Sequence, residues 1–430
     1  MQFQKGHSAY FVGIGGIGMS ALAQLYHSRG GTVRGSDREP SPTTKMLNDQ
    51  GIDVYIGHDV QNIPEVFDVL IYSDAVPFSN HERAQARARG IPEYSYFEAL
   101  GDISKETPTI AIAGSHGKTT TTAMVGHILH EAGIHPTLVV GSIMKDFGSN
   151  FVLGAPGAPL VVEACEYNDH LLKLSPSILA VTNLEWDHTD YFKTFEQLKE
   201  TFKKAVHALP EDGALVVNLE TDTGRELASY APCRVVDYAA VDVPPLRLLG
   251  DFNVMNARAA IAVAKTFLPT LDDALARHSV ATFQGTWRRF EYKGEMPHGA
   301  LVYDDYAHHP TEIAVTLKAV REKFPDKKII VAFHPHLYSR TADFMNDFAS
   351  ALTTAHYVVL APIYAAREEP IPGVTSEALA EKITLHGTEA RVVESLEGVA
   401  LVLKEYDSKD VVCITMGAGD IYKIITQLLE

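Results

Sequence analysis

Short apolar runs alternate along the chain with longer stretches in which apolar residues recur every three or four positions. The short runs indicate buried β-strands, and the longer periodic stretches indicate helices with one buried face. Regular alternation of the two is typical of layers of helices on parallel sheets. The pattern therefore predicts the α/β fold class, with three consecutive α/β domains in one chain.

The predicted elements fall into three successive groups. The first group has strands at 8–12, 32–37 and 69–72 and a helix through residues 19–27, and it fades into a polar stretch at 101–108. The second has strands at 109–113, 160–162 and 178–181 and helices from about Lys118 and over 195–208. The third begins near Gly285. These groups predict domains at 1–104, 105–284 and 285–430.

Strands of the third group end in polar residues. The run 300–303 leads to Asp304 and Asp305, the run 329–333 leads to His334, and the run 411–414 leads towards Gly417. In open parallel sheets, ligands bind at the carboxyl ends of the strands. We therefore expect these polar strand ends to share one edge of a sheet and to form part of a ligand site.

Composition and charge narrow the function classes. The 430 residues are 46% hydrophobic, and 37 basic against 54 acidic residues give a net charge of -17, which disfavours a nucleic-acid partner. Cys165, Cys233 and Cys413 are widely spaced, which favours a reducing compartment. With no signal-peptide pattern and no apolar run long enough to span a bilayer, the expectation is a cytoplasmic protein without a membrane partner. No sequence feature indicates an oligomeric state.

A glycine loop lies between the strand at 109–113 and the next helix, and it consists of Gly114, Ser115, His116, Gly117, Lys118, Thr119 and Thr120. Backbone N–H groups and the helix dipole at such a helix start favour phosphate. Lys118 can reach the terminal phosphates of ATP, and the hydroxyl of Thr119 or Thr120 can ligate magnesium. The longer Gly-x-x-x-x-Gly-Lys-Ser/Thr motif is not met, because Ile112 occupies its first glycine position. An ordinary glycine turn is the alternative, but consecutive threonines are poor helix formers, so the loop favours an ATP site.

A second glycine loop at 13–18 satisfies Gly-x-Gly-x-x-Gly after a strand, and Asp37 ends the next strand. Alone, this pattern is typical of nicotinamide cofactor binding. Beside an ATP loop it indicates a second nucleotide that serves as the handle of the substrate. Possible metal ligands are Glu163, after the strand at 160–162, and the pair Asp187 and His188, although such residues are more often caps or solvated groups.

Two segments of the third group carry further candidate chemistry. Asp304 to Glu312 contains three carboxylates, a tyrosine and two histidines between a strand and a helix. Pro310 and Glu312 suit the helix start, so Asp304 and His309 could also serve only as caps. Arg340 lies where a guanidinium can bind a carboxylate or a phosphate, or can offset nearby acidic charge.

Taken together, these motifs resemble the Mur ligases of bacterial cell-wall synthesis, over almost the whole chain and in order. The similarity is carried by residues 11–20, 35–37, 114–122, 174–176, 187–188, 288–291, 304–312, 338–341, 368–373 and 417–420. Within the family, the sequence is most similar to the branch that joins L-alanine to UDP-N-acetylmuramate. The resemblance implies an N-terminal Rossmann-like UDP-binding domain, a central P-loop ATPase-like domain and a C-terminal Rossmann-like domain for the amino acid.

The resemblance also implies a reaction and residue roles. ATP phosphorylates the lactoyl carboxylate of UDP-N-acetylmuramate, and L-alanine attacks the acyl phosphate, with magnesium, expected as two ions, at the ATP phosphates. The implied ATP contacts beyond the loop are Asn253, Asn256, Arg288, Asp304 and Asp305. The implied UDP-sugar contacts are Gly15, Gly16, Ile17, Gly18, Ser36, Asp37 and Ser73. The implied metal ligands are Thr119, Glu163 and His188, and the implied catalytic residues are Lys118, His188, His308, His309 and Arg340.

The sequence departs from the family pattern at Cys165, Phe252 and Leu337, where an aspartate, a histidine and an arginine are usual. The amino-acid pocket is therefore the least constrained part of the prediction. One alternative is murein-peptide ligase activity, which joins a recycled tripeptide to the same sugar nucleotide. A nicotinamide-dependent oxidoreductase and a non-catalytic nucleotide-binding regulator are alternatives from other classes.

Overall fold

The structure is a computed structural model that describes residues 6–366 and 368–430. The first of its three sheets contains strands β1 to β5, in the order β3-β2-β1-β4-β5, and all of its pairs are parallel. The strands are Ser8–Val12 (β1), Thr32–Asp37 (β2), Asp53–Ile56 (β3), Val69–Tyr72 (β4) and Glu93–Ser95 (β5). The helices are Ile17–Ser28 (α1), Pro42–Asp49 (α2), His81–Ala88 (α3) and Tyr96–Glu106 (α4), with a short 3-10 helix at Val60–Asn62.

The second sheet has the order β12-β11-β10-β6-β9-β7-β8, and its pairs are parallel except the antiparallel edge pair β7–β8. Its strands are Thr109–Ala113 (β6), Thr137–Met144 (β7), Ser149–Val152 (β8), Leu160–Glu163 (β9), Ile178–Val181 (β10), Ala214–Val217 (β11) and Arg234–Asp237 (β12). The helices are Lys118–Glu131 (α5), Phe195–His207 (α6), Asp222–Ala228 (α7), Asp251–Phe267 (α8) and Asp273–Thr282 (α9), with a 3-10 helix at Tyr167–Lys173.

The third sheet has the order β13-β14-β18-β15-β16-β17 and is parallel except at its edge strand β13. Its strands are Glu291–Glu295 (β13), Leu301–Asp305 (β14), Lys328–Phe333 (β15), Tyr357–Leu360 (β16), Glu389–Val392 (β17) and Val411–Met416 (β18). Its helices are Pro310–Lys323 (α10), Tyr338–Asp343 (α11), Met345–Leu352 (α12), Ser376–Leu385 (α13), Leu396–Lys404 (α14) and Ile425–Leu429 (α15), with a 3-10 helix at Asp420–Ile424.

The described chain divides into two compact units. The first unit comprises residues up to Leu184, Leu198–Arg247 and Met255–Gly285, and it contains the first two sheets. The second comprises Glu185–Gln197, Leu248–Val254 and Thr286–Glu430, and it contains the third sheet. Buried aliphatic and aromatic residues cover both faces of the third sheet. The predicted α/β class with three successive sheets is confirmed, whereas the domain limits at 104/105 and 284/285 stay predictions.

The polar stretch at 101–108 differs from its sequence-based expectation, because helix α4 runs through it to Glu106. Ser95 and Glu98 form a reciprocal capping box at the start of this helix, and Ala99, Leu100 and Ile103 bury one face. The exposed residues Lys105 and Glu106 therefore belong to the solvent side of a helix, whereas Ser104 is buried. Among the described residues, no helix is both long and apolar enough to cross a membrane.

Candidate active site

The glycine loop of the first unit connects strand β6 to helix α5, as predicted. Helix α5 starts at Lys118 behind Gly117, which has no side chain to cap the first turn. The loop is fixed by the end of β10, because the Ser115 N–H donates to the Asn183 carbonyl at 3.0 Å and the His116 N–H donates to Asn183 Oδ1 at 2.9 Å. A helix start with glycine at the N-cap, held in this way, presents N–H groups that suit an anionic ligand.

Two glycines make this loop possible. Gly114 has φ +129°, and a Cβ there would lie 2.2 Å from Thr182 Oγ1. Gly117 has φ +80°, and a Cβ there would lie 2.2 Å from Asn256 Oδ1. Both positions therefore require glycine for backbone conformation and for space. The structure also places Asn256, a predicted ATP contact, directly beside the loop.

Lys118 is tied to both the loop and a buried carboxylate. Its Nζ donates to the Gly114 and Ser115 carbonyls at 2.5 and 3.0 Å and to Glu166 Oε1 at 3.0 Å. Burial alone would lower the pKa of this ammonium, but attraction from Glu166, followed by Cys165 and Glu163, raises the pKa above its usual value. Lys118 therefore holds its positive charge within the loop. Glu166, whose pairing with Lys118 the sequence pattern does not predict, is its counter-charge.

Two oxygen ligands lie together beside the loop. Thr119 Oγ1 donates to Glu163 Oε2 at 2.8 Å, and the Gly141 N–H donates to the same carboxylate oxygen at 3.0 Å. Glu163 reaches this point because β9 is parallel to β6 and places it beside Ile112, two residues before Gly114. Hydroxyl and carboxylate oxygens are the hard ligands that magnesium prefers, so this pair fits the predicted metal site. Thr120 lies in the same first turn of α5 and is buried.

The other glycine loop lies at the carboxyl ends of β1, β2 and β4. The Gly15 N–H donates to Asp37 Oδ2 at 2.7 Å, so this predicted UDP-sugar contact also closes the loop. Helix α1 begins with Ile17 and Gly18 behind Gly16. The Ser73 N–H donates to the carbonyl at the end of β1 at 3.0 Å. The structure therefore brings the predicted UDP-sugar residues to one edge of the first sheet.

Among the predicted UDP-sugar residues, Ser36 differs from the others because its side chain is not open to solvent. Its side chain is fully buried, and its Oγ donates to Glu82 Oε2 at 2.5 Å. Glu82 also accepts a hydrogen bond from the Tyr10 hydroxyl at 2.8 Å, and His58 Nδ1 lies 3.1 Å from it. This buried hydrogen-bond network fixes the carboxyl end of strand β2. The sequence pattern does not single out Glu82, because its polar neighbours in helix α3 conceal it.

In the second unit, the polar strand ends share one edge of the third sheet, as predicted. Asp304 is fully buried and accepts hydrogen bonds from Arg288 Nε at 2.8 Å and from Thr415 Oγ1 at 2.6 Å. The Arg288 guanidinium also donates to the Gly417 and Gly419 carbonyls at 2.6 and 3.1 Å. Arg288 and Asp304 therefore join β14 to the loop after β18.

The segment after β14 combines a buried carboxyl group with two histidines. Burial raises the pKa of Asp305 to about 7, against the opposing effects of Arg289 and of the hydrogen bond from the Ala307 N–H at 2.7 Å. His308 Nδ1 lies 3.2 Å from Glu312 Oε2. His309 is the N-cap of helix α10, where its side chain accepts a hydrogen bond from the Thr311 N–H. The capping role weighed for His309 is thus observed.

Arg340 and Asp187 form a buried ion pair in the second unit. Arg340 Nη2 lies 2.8 Å from Asp187 Oδ1, and Arg340 Nη1 is 3.2 Å from His336 Nδ1. His188 follows Asp187 with φ +53°, and its N–H donates to the same Asp187 oxygen at 2.6 Å. Asn253, in another segment of this unit, donates from Nδ2 to the Leu249 carbonyl at 2.7 Å. The Arg340–Asp187 ion pair therefore connects the residue before His188 to the predicted amino-acid pocket.

A parallel sheet with a glycine loop, a buried lysine and a threonine–carboxylate pair at the next helix defines an α/β protein with a phosphate-binding loop. Comparison with known proteins resolves the family. Three family models match in succession: "Mur ligase family, catalytic domain" at residues 8–107, "Mur ligase middle domain" at 112–243 and "Mur ligase, glutamate ligase domain" at 288–419. The chain belongs to the Mur ligase family.

Individual relatives are similar over nearly the whole chain. A curated relative, UDP-N-acetylmuramate--L-alanine ligase of Caldicellulosiruptor saccharolyticus, is 37% identical over 98% of both chains. The crystal structure of UDP-N-acetylmuramate-alanine ligase from Thermotoga maritima has 29% identity and a TM-score of 0.82 over 98% of both chains. A murein peptide ligase structure from Psychrobacter arcticus has a TM-score of 0.73 over 99% of this chain and 98% of its own, but its 23% identity shows the fold alone. The comparisons thus do not favour murein-peptide ligase or oxidoreductase activity.

Proposed function

We propose that this chain catalyses the ATP-dependent ligation of L-alanine to the lactoyl carboxylate of UDP-N-acetylmuramate, a step of peptidoglycan precursor synthesis. The observation that carries the proposal is the position of Lys118 at the start of helix α5, directly behind the glycine N-cap of the loop. A fixed ammonium at a helix start is the arrangement that stabilises a transferring phosphoryl group. Full-length similarity to proteins of this name supports the choice of substrates.

The proposed reaction has two steps. A lactoyl carboxylate oxygen attacks the γ-phosphorus of ATP, the bond to the ADP oxygen breaks, and an acyl phosphate forms. The amine of L-alanine then attacks the acyl carbon, a tetrahedral intermediate collapses, and phosphate leaves with the oxygen that came from the carboxylate. Lys118 and the loop N–H groups stabilise the negative charge of the transferring phosphoryl group.

Magnesium is part of the proposal, and two ions are expected. Thr119 and Glu163 would hold magnesium through oxygen ligands, and His188 is the proposed nitrogen ligand. When bound, the ion supplies positive charge that offsets the charge of the ATP phosphates. The protein residues themselves hold the loop, orient Lys118 and fix the position of Glu163 through the Gly141 N–H.

The remaining predicted roles are proposals of the same kind. We assign the UDP sugar to Gly15, Gly16, Ile17, Gly18, Ser36, Asp37 and Ser73. ATP is assigned to residues 114–120, Asn253, Asn256, Arg288, Asp304 and Asp305. L-alanine and the developing charge are assigned to His308, His309 and Arg340. The free thiols of Cys165, Cys233 and Cys413 fit a reducing compartment, so we place the enzyme in the cytoplasm.

ADP release tests the proposal directly. Purified full-length protein is assayed with ATP, magnesium and UDP-N-acetylmuramate, adding L-alanine, glycine, L-serine or the murein tripeptide in turn. We expect L-alanine to give the highest kcat/KM, and Lys118→Ala to abolish ADP release. If only the tripeptide supports ADP release, the activity is murein-peptide ligation and the proposed alanine ligation is wrong. No ADP release with any amine would contradict a ligase and favour a non-catalytic nucleotide-binding regulator.

A further inference from the structure

Three histidines lie near the C-terminal end of helix α5, at the opposite end from the phosphate loop. His127 and His130 are one helical turn apart, and His135 follows the end of the helix at Glu131. All three belong to the first unit. None of them takes part in the proposed ligation reaction.

The imidazoles of His130 and His135 face each other closely. Their Nδ1 atoms are 3.3 Å apart, and their rings are inclined by 77° with centroids 4.7 Å apart. A tetrahedral metal ion with metal–nitrogen bonds of about 2.0–2.1 Å separates two ligand nitrogens by about 3.3 Å. The observed separation therefore equals one edge of such a coordination sphere. His130 is half-buried and His135 is exposed, so an ion can reach both from solvent.

The backbone holds His135 in an uncommon conformation. His135 has φ +48° although it carries a side chain and precedes Pro136, a position that favours extended backbone. Its carbonyl accepts a hydrogen bond from the Ala155 N–H at 2.9 Å, which anchors the turn. A non-glycine residue held at positive φ is a reason to look for a function of its side chain. Here the conformation brings the His135 ring to His130.

The surroundings suit a cation with nitrogen ligands. Phe147 packs edge-on against His130 with centroids 5.2 Å apart, so one side of the pair is apolar. His127 is buried, and its Nε2 has no hydrogen-bond partner among the described residues. The charged and titratable groups that act on His127 are the carboxylates of Asp146 and Glu131 and the imidazoles of His130 and His278. The carboxylates add negative potential, and Glu131, which follows His130 in the sequence, is exposed.

We propose that His130 and His135 form a surface site for a divalent transition-metal ion of the zinc class. Imidazole nitrogens select zinc, nickel or copper, whereas the Thr119–Glu163 pair offers the oxygen ligands that magnesium prefers. Water molecules complete the coordination. The bound ion links the last turn of helix α5 to the following loop, and because it binds the folded chain, it stabilises that chain. The site does not depend on the proposed ligation activity.

Zinc titration of the full-length enzyme tests this proposal. Calorimetric titrations are run in excess magnesium, which occupies the oxygen-ligand site, on wild type, His130→Gln and His135→Asn. Asparagine tolerates positive φ, so His135→Asn removes the ligand while keeping the turn. We expect wild type to bind a single equivalent of Zn²⁺ and either variant to lose at least about tenfold in affinity. His27→Gln, which changes an exposed histidine in the last turn of α1, should bind as wild type does.

Two further readouts decide the outcome. Bound Co²⁺ should give the intense visible absorption of a four-coordinate ion in wild type, and the double variant His130→Gln/His135→Asn should not. Zn²⁺ should raise the thermal unfolding temperature of wild type and leave that of the double variant unchanged. If wild type binds no Zn²⁺ at micromolar concentrations, or both variants bind it as wild type does, the two rings are only a hydrogen-bonded imidazole pair and the proposal is wrong.

Discussion

Arg340 donates two hydrogen bonds, from Nε at 3.1 Å and from Nη2 at 2.8 Å, to one carboxylate oxygen of Asp187. Both side chains are about 95% buried, so each charge depends on the other for compensation. The backbone N–H of His188 donates to the same oxygen. The pair therefore fixes the backbone of the proposed metal ligand His188 and, at its other end, the Arg340 guanidinium beside His336.

Removing one partner of this pair should destabilise the second unit strongly. Asp187→Asn or Arg340→Met leaves one buried charge uncompensated, which costs about 3–5 kcal/mol of unfolding free energy. The double variant Asp187→Asn/Arg340→Met removes both charges and should lose clearly less than the sum of the single changes. Urea unfolding of all four proteins measures the coupling. Additive losses in the double variant would show that the two charges are independent.

Asp187 also makes a specific contribution to acid stability. Arg340, followed by His188, His308 and His309, lowers the pKa of Asp187 well below its usual 3.8, although burial acts in the opposite direction. A carboxylate with a depressed folded-state pKa contributes stability above the unfolded pKa and loses it as the pH falls through the folded value. The stability difference between wild type and Asp187→Asn should therefore narrow below pH 3.8. Urea midpoints measured from pH 6 to 3 check this, and a constant difference would refute it.

Gly117 and Gly133 offer a matched pair of substitutions. Both have nearly the same positive φ, +80° and +77°, but a Cβ at Gly133 meets nothing within 4 Å, whereas a Cβ at Gly117 meets Asn256. Gly133→Ala should cost only the backbone strain of about 1–2 kcal/mol. Gly117→Ala should have the same backbone strain and should also raise the KM for ATP about tenfold or more, because the loop or Asn256 must move. Equal ATP kinetics in the two variants would contradict this role for Gly117.

The Thr119–Glu163 pair should control the magnesium requirement. Thr119→Val removes the hydroxyl ligand, and Glu163→Gln replaces the charged carboxylate by a neutral amide, so both should raise the magnesium concentration needed for half-maximal ADP release about tenfold or more. Thr119→Ser keeps the hydroxyl and serves as the control, with a requirement close to that of wild type. Magnesium titrations at saturating ATP make the comparison. Unchanged titration curves for Thr119→Val and Glu163→Gln would remove these residues from the metal site.

Local sequence patterns predict the phosphate loop well, because the signals lie within a few residues of one another. A buried strand ending at Ala113, glycines at the turn and a helix starting at Lys118 are found as expected. The parallel strand ends at Asp304 and Asp305 are likewise predictable, since buried parallel strands are continuous apolar runs. The edge strand Glu291–Glu295 is not predictable in this way, because it is polar and contains no fully buried residue.

Partnerships between distant residues are the part that the sequence does not reveal. Lys118 and Glu166 are 48 positions apart, and Arg340 and Asp187 are 153 positions apart. The first pair depends on β6 and β9 becoming neighbours in a sheet, and the second depends on residues 185–197 packing within the second unit, and no local pattern records either. His309 shows the opposite situation, because its capping role follows from Pro310 and Glu312 alone. The same local sequence pattern would be found whether His309 served catalysis or only capped the helix, so the pattern does not distinguish the two roles.

The most direct test of the proposed reaction follows one oxygen atom. UDP-N-acetylmuramate labelled with ¹⁸O in its lactoyl carboxylate is incubated with the enzyme, ATP, magnesium and L-alanine, and the products are weighed by mass spectrometry. The proposed acyl phosphate requires one ¹⁸O in each released phosphate, none in ADP, and formation of UDP-N-acetylmuramoyl-L-alanine. Lys118→Ala should give neither labelled phosphate nor product. Unlabelled phosphate, or labelled phosphate without the alanine adduct, would contradict an acyl-phosphate-forming alanine ligase.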